Sequence, residues 1–250
     1  NGVVVDSAEY LEYFAQDEDT EVIGMFLEGV RHGGRFFNVL REVCRTKPVL
    51  VWKVGETEDA ARATSAHSAT ERIPRNLWDS MLRQCGAVRI DNVQELIDAT
   101  KALTPKKVLE GPRLGLFCQG GGHATEMANV FSKAGFRIPA LTERSYERLL
   151  TNFDIVGGSY RNPIEGGSLR TEEGMLEVLE ILDDDENLDG IVQELPVSRL
   201  LRGRDDDMLL KNRLNTLCEF GLKAKKPYTI VIDPTIPEVD ATLTKYVYEQ

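Results

Sequence analysis

Three histidines and a run of glycines are the residues best suited to chemistry in this 250-residue chain. His67 sits between small residues, Ser65, Ala66, Ser68 and Ala69, so nothing bulky shields its imidazole from a large partner. It reads as an acceptor for group transfer or as a loop histidine with no duty. Glu28 closes a run of apolar residues, VIGMFLEG, at what would be the C-terminal edge of a strand, where doubly wound sheets form their sites. From that edge Glu28 could hold one nitrogen of His67 and leave the other as a nucleophile. Gln119-Gly120-Gly121-Gly122-His123 lies between a strand and a helix. Glycines there could turn successive N–H groups toward one point, and a helix N-terminus favours an anion. A plain strand-to-helix turn reads equally well. His123 either caps that anion site or only begins the helix, and His32 reads as a surface residue. The glycine turn is neither a P-loop nor GxGxxG, and the chain has no GxSxG and no HExxH.

The elements that must position these residues follow from periodicity. Ser7 reads as the N-cap of a helix over 7–15. Strands are expected at 22–29 and 49–53, the second buried on both faces. An acidic, alanine-rich loop then delivers His67. Gly33-Gly34 reads as a loop before a helix over 35–45. A helix over 76–86, a strand at 87–90 and a helix over 92–103 complete the first half. Thr104–Pro112 reads as a linker. In the second half, strands are expected at 113–118, 188–195 and 227–233. Helices are expected at 124–135, 143–153, after Thr171 and from Arg204 onward, with a glycine-rich loop at 157–167 and a last helical stretch. Alternation of strand and helix predicts two α/β units with mostly parallel sheets and helices on both faces, of the flavodoxin type. The first unit spans 1–106 and the second 112–250. The first starts with only a helix before its first clear strand, which is expected of a fragment of something longer.

Composition narrows the function classes. The net charge of −11 argues against nucleic acid and anionic membrane as partners. No apolar stretch approaches the roughly 20 residues of a membrane span. Cys44, Cys85, Cys118 and Cys218 form no CxxC pair, which fits a reducing cytoplasm and suggests neither a zinc site nor disulfides. The acidic runs Asp183–Glu186 and Asp205–Asp207 read as solvated loops.

Longer stretches carry a resemblance. FLEGVRHGGRFFNVLREV, KPVLVWKVGETEDAARATSAHSAT and LRQCGAVRIDNVQELIDATKAL resemble the ligase domain of the acyl-CoA synthetases that form a nucleoside diphosphate, the superfamily of succinyl-CoA synthetase and ADP-forming acetyl-CoA synthetase. RLGLFCQGGGHATEMANVFSKAGFRIPALTE and RNPIEGG resemble the domain that follows in the single-chain enzymes. The resemblance implies that acid, CoA and ATP are interconverted with acyl-CoA, ADP and phosphate through a phosphohistidine at His67, held by Glu28. It implies that Gly120, Gly121, Gly122 and His123 hold phosphate, and that the phosphohistidine loop swings between sites. CoA, ATP or ADP and Mg2+ would be bound mainly by domains outside this chain, a CoA-binding Rossmann-like domain and an ATP-grasp domain or subunit, in an oligomer that acts on a small carboxylic acid. Ala69 stands where the family usually has glycine, and His123 where it has a small residue. A non-catalytic regulatory or assembly module of the same fold is the alternative.

Overall fold

The computed structural model describes residues 5–68, 73–104, 107–151, 158–166, 171–197 and 207–232. The chain divides into two units, 1–106 and 107–250, each with its own parallel sheet.

In the first unit the order is α1 (Ser7–Gln16), β1 (Ile23–Leu27), α2 (Gly33–Val43), β2 (Val49–Lys53), α3 (Glu58–Ser68), α4 (Arg75–Cys85), β3 (Val88–Ile90) and α5 (Val93–Leu103). Asp6, one residue before the expected Ser7, is the N-cap of α1. Its carboxylate accepts from the N–H groups of Ala8 and Glu9 at 2.9 and 3.2 Å, and Glu9 accepts the Asp6 N–H at 2.7 Å. This reciprocal box satisfies two donors, which Ser7 as cap could not do because the third helical residue would then be Tyr10. Gly33 and Gly34 belong to α2, not to a loop before it. The strands run parallel in the order β1-β2-β3, with Leu27 opposite Lys53. Leu11, Phe36, Leu40, Trp78 and Leu82 from α1, α2 and α4 bury one face against Ile23, Met25, Leu27, Val49 and Val51. On the other face Leu96 of α5 lies over Gly24, while Phe26 is 54 % exposed. β1 is therefore buried on one face only. Gly86 ends α4 at φ 79°, a left-handed cap that glycine adopts without a Cβ clash.

The second unit contains β4 (Leu114–Cys118), α6 (Gly121–Lys133), α7 (Glu143–Leu150), β5 (Ile164–Glu165), α8 (Glu172–Asp184), β6 (Gly190–Leu195), α9 (Asp207–Lys223) and β7 (Tyr228–Ile232). The strand order is β5-β4-β6-β7, all parallel. β4 and β6 are buried along their whole length, as central strands of a parallel sheet should be. Residues of α7, α8 and α9 cover one face around Leu149, Leu179, Leu182 and Leu214, and α6 covers the other with Ala124 and Met127. The two-residue β5 falls inside the stretch expected to be a glycine-rich loop. Beyond it the Asn162 side chain does the work of a strand. Its oxygen accepts the Leu116 N–H at 2.9 Å, and its amide donates to the carbonyls of Leu114 at 2.9 Å and Pro139 at 2.8 Å.

The acidic run at 183–186 is not a solvated loop. Asp183 and Asp185 are buried, at 8 % and 1 % exposure. Asp183 accepts the N–H groups of Lys225 and Lys226 at 2.8 and 2.9 Å, which ties the end of α8 to the turn before β7. Asp185 accepts the N–H and hydroxyl of Thr142 at 2.8 and 2.9 Å, and the N–H of Asn187 at 2.9 Å. Backbone donors replace the water these carboxylates give up. The run at 205–206 and the final stretch from 233 lie outside the described residues, as do 105 and 106 of the linker. Among the described residues no helix is long and apolar enough to cross a membrane.

Candidate functional site

In the first unit, β1 and β2 deliver their residues to one sheet edge. Val54 N–H donates to the Leu27 carbonyl at 3.0 Å, so Glu28 leaves the sheet beside Val54. Glu28 is half-buried. Lys53, the last residue of β2, is buried, with its ammonium donating to the Val54 carbonyl and lying 5.6 Å from the Trp78 ring centroid. Burial pushes its pKa below the ordinary lysine value, with the Glu56 and Glu28 carboxylates opposing that shift and Arg89 adding to it. Arg89 of β3 donates to Glu56, to Asp79 at 2.6 Å and to Asp91 at 3.0 Å. These hydrogen bonds, that to Glu56 foremost, raise its pKa further.

Past β2 the chain turns at Gly55, φ 82°, and enters α3. Sequence reasoning expects a loop here, but residues 58–68 are helical. The reason is local. The Thr57 hydroxyl and carbonyl accept from Ala60 at 3.2 Å and Ala61 at 2.8 Å, Glu58 and Asp59 suit the positive helix end, and the alanines that follow are strong helix formers. Thr64, whose hydroxyl donates back to the Ala60 and Ala61 carbonyls at 3.1 Å, lies directly over Gly55. A Cβ at residue 55 would stand 2.8 Å from Thr64 Oγ1 and 3.0 Å from its Cγ2. The missing side chain of Gly55 thus lets α3 settle against the end of β2. His67 lies on α3, three residues after Thr64. The expected Glu28–His67 hydrogen bond falls on the His67 side chain, and Ala69 likewise lies outside the described residues.

In the second unit the glycine turn is shorter than expected. α6 begins at Gly121, with Gly120 as an N-cap that has no side chain to offer, and the first helical hydrogen bond runs from Ala124 to Gly120 at 2.9 Å. Gly120 is extended, at φ −151°, and Gly121 and Gly122 are helical. The glycines therefore serve by lacking bulk, not by adopting left-handed angles. A Cβ on Gly121 would be 3.0 Å from Glu165 Oε2, and one on Gly122 would meet nothing within 4 Å. His123 is the third residue of α6, and its Nδ1 is hydrogen-bonded to Glu194, the fifth residue of β6. The other Glu194 oxygen accepts the Gln119 N–H at 2.9 Å. The nearby Cys118 thiol is pushed up to about 12, by burial first and then by the carboxylates of Glu194 and Glu165. His32 is exposed at the start of α2 and joins neither group.

Sequence reasoning misses Glu194 and Glu165. Glu194 stands 71 residues from His123 in the chain, and only the pairing of β4 with β6 brings them together. The single local signal is a glutamate near the end of an apolar run, the same signal that marks Glu28.

Known proteins share this construction. Residues 1–103 match the family described as the succinyl-CoA ligase-like flavodoxin domain. An ADP-forming acetate–CoA ligase of Archaeoglobus fulgidus is 31 % identical over 191 residues, which is 76 % of this chain and 27 % of that one. The alpha subunit of an ADP-forming acetate–CoA ligase of Pyrococcus furiosus is 28 % identical over 66 % of this chain and 35 % of its own length. The chain thus spans between a quarter and two fifths of these relatives. The solved structure of dinucleotide-forming acetyl-coenzyme A synthetase 1 of Ca. Korarchaeum cryptofilum, in complex with phosphate and ADP, is similar in fold, with a TM-score of 0.78 at 23 % identity over 96 % of this chain and 52 % of that one. Over residues 1–103 the chain therefore matches the family of succinyl-CoA ligase-like flavodoxin domains, and over three quarters of its length it is similar to an ADP-forming acetate–CoA ligase.

Proposed function

We propose that this chain is the phosphoryl-carrying part of a nucleoside-diphosphate-forming acyl-CoA ligase, with His67 as the phosphorylated residue and Glu28 as the carboxylate that orients it. The observation that supports this most directly is the meeting of β1 and β2 at one sheet edge. Glu28 leaves the first strand there, and α3, which bears His67, is seated on Gly55 just past the second. In the direction of acid release, phosphate displaces CoA from acyl-CoA and gives acyl phosphate. An imidazole nitrogen of His67 then attacks phosphorus, the P–O bond to the acyl group breaks, and the carboxylate leaves. An oxygen of the ADP β-phosphate next takes the phosphoryl group as the N–P bond breaks. Glu28 accepts a hydrogen bond from the N–H of the second imidazole nitrogen and so stabilises the cationic ring during transfer.

The start of α6, at Gly120, Gly121, Gly122 and His123, is the phosphate-holding segment in this reading. Its uncapped N–H groups and absent side chains suit an oxyanion. CoA, the nucleotide and Mg2+ are assigned mainly to a Rossmann-like domain and an ATP-grasp domain or subunit outside this chain. Among the described residues no three His, Cys, Asp or Glu side chains group as metal ligands, and no residue here is given to Mg2+. The substrate class is a small carboxylic acid and the compartment the cytoplasm.

The test is phosphohistidine mapping in the complete enzyme with ATP and Mg2+. An acid-labile, base-stable label is expected on His67, lost in His67→Ala together with acyl-CoA synthesis, and slowed in Glu28→Gln. A His67→Ala enzyme that still turns over, or a label only on His123, would overturn the reading in favour of a regulatory or assembly module or a different acceptor.

A further inference from the structure

We infer that Glu194 is a positioning residue for phosphate and acts through His123; the inference rests on the phosphate-holding role proposed for the start of α6. Glu194 is almost wholly enclosed, its side chain 3 % exposed, whereas that of His123 is 52 % exposed. A carboxylate this buried is costly unless both oxygens are engaged. One oxygen meets the Gln119 N–H, a duty that any neutral acceptor would fill. The second is committed to His123 Nδ1. An ionised carboxylate only accepts, so the proton of this bond belongs to Nδ1, and any proton shared with a ligand goes through Nε2.

The local charge balance gives the pair its purpose. Glu165 lies against Gly121, and an oxyanion approaching α6 would meet two carboxylates there. The imidazole covers one of them and puts a ring in place of that charge at the open side, where Gly122 leaves space. Glu194 thus fixes the direction of the ring through its bond to Nδ1.

The experiment compares Glu194→Gln, His123→Gln and the double variant in the complete enzyme, with inorganic phosphate as the varied substrate. Glu194→Gln keeps an acceptor for the Gln119 N–H. Loss of a charge-assisted hydrogen bond should raise KM for phosphate about tenfold, with KM for acyl-CoA and kcat within about twofold. His123→Gln should do the same, and the double variant no more than either alone. If Glu194→Gln shifts all parameters together, or lowers only the thermal midpoint, Glu194 is structural and the inference fails. Should Glu194→Gln not fold, an unchanged phosphate KM in His123→Gln overturns it equally. Absence of any phosphohistidine in the wild-type enzyme would instead sink the proposed function, a distinct result.

Discussion

Gly55→Ala tests the seat of the helix that carries His67. Two costs follow from the geometry. The backbone at residue 55 is left-handed, φ 82°, which costs an L side chain about 1–2 kcal/mol. The new methyl would also stand 2.8 Å from Thr64 Oγ1, closer than real Cβ atoms come, and overpacking of this kind costs about 1–3 kcal/mol. Together they come to about 3 kcal/mol. Thr64→Ala removes both atoms that the methyl would strike. In that background Gly55→Ala should cost only the backbone part, about 1 kcal/mol, which leaves a coupling of about 2 kcal/mol between the two positions. Trp52 and Trp78 are the only tryptophans, and both lie in the first unit, so tryptophan fluorescence in a urea titration reads that unit alone. Equal costs in the two backgrounds would refute the argument that Gly55 makes room for Thr64. In the proposed function the single variant should also label His67 more slowly, and the double variant should recover much of the rate.

Two further expectations concern the second unit. Asp183→Ala strips the acceptor from the N–H groups of Lys225 and Lys226 and should cost about 2 kcal/mol; the circular-dichroism transition should move while the tryptophan transition does not, and the reverse pattern would place the loss elsewhere. Arg113 hydrogen bonds hold Asp189 below the usual carboxylate range, so this pair contributes stability above the unfolded carboxylate value and loses it as pH falls through the lowered folded one. Asp189→Asn should therefore flatten the acid limb of a stability–pH curve, and an unaltered limb would count against the pair.

Much of the frame is legible in the chain because its strands are continuous apolar runs: VLVWK, LGLFC, GIVQEL and YTIVI all become strands. Gly86 announces the end of α4 just as plainly. What the sequence conceals depends on partners far along the chain. Asp183 and Asp185 look solvated because acidic runs usually are, and only the turn before β7 and the Thr142 cap reveal their donors. The segment before His67 looks like a loop because Gly55 precedes it, yet its alanines and Thr57 favour a helix. Ile164–Glu165 is too short for periodicity to show. Of the candidate site, Glu28 and the glycines were visible from their place after apolar runs; Glu194 was not, since its duty exists only once two strands are laid side by side.

Asn162 has a consequence for solubility during folding. A parallel sheet that stops at a two-residue strand would leave the N-terminal part of β4 with open donors and acceptors, a template on which another extended chain could pair. The Asn162 amide occupies the Leu116 donor and the Leu114 acceptor, and the Arg137 carbonyl takes the Leu114 N–H at 2.8 Å, which closes that row. Protection of this border then depends on two connecting segments, those that carry Arg137 and Asn162. Until Asn162 has docked, the newly made chain carries an adhesive margin of buried-type strand, and misassociation between copies would begin there.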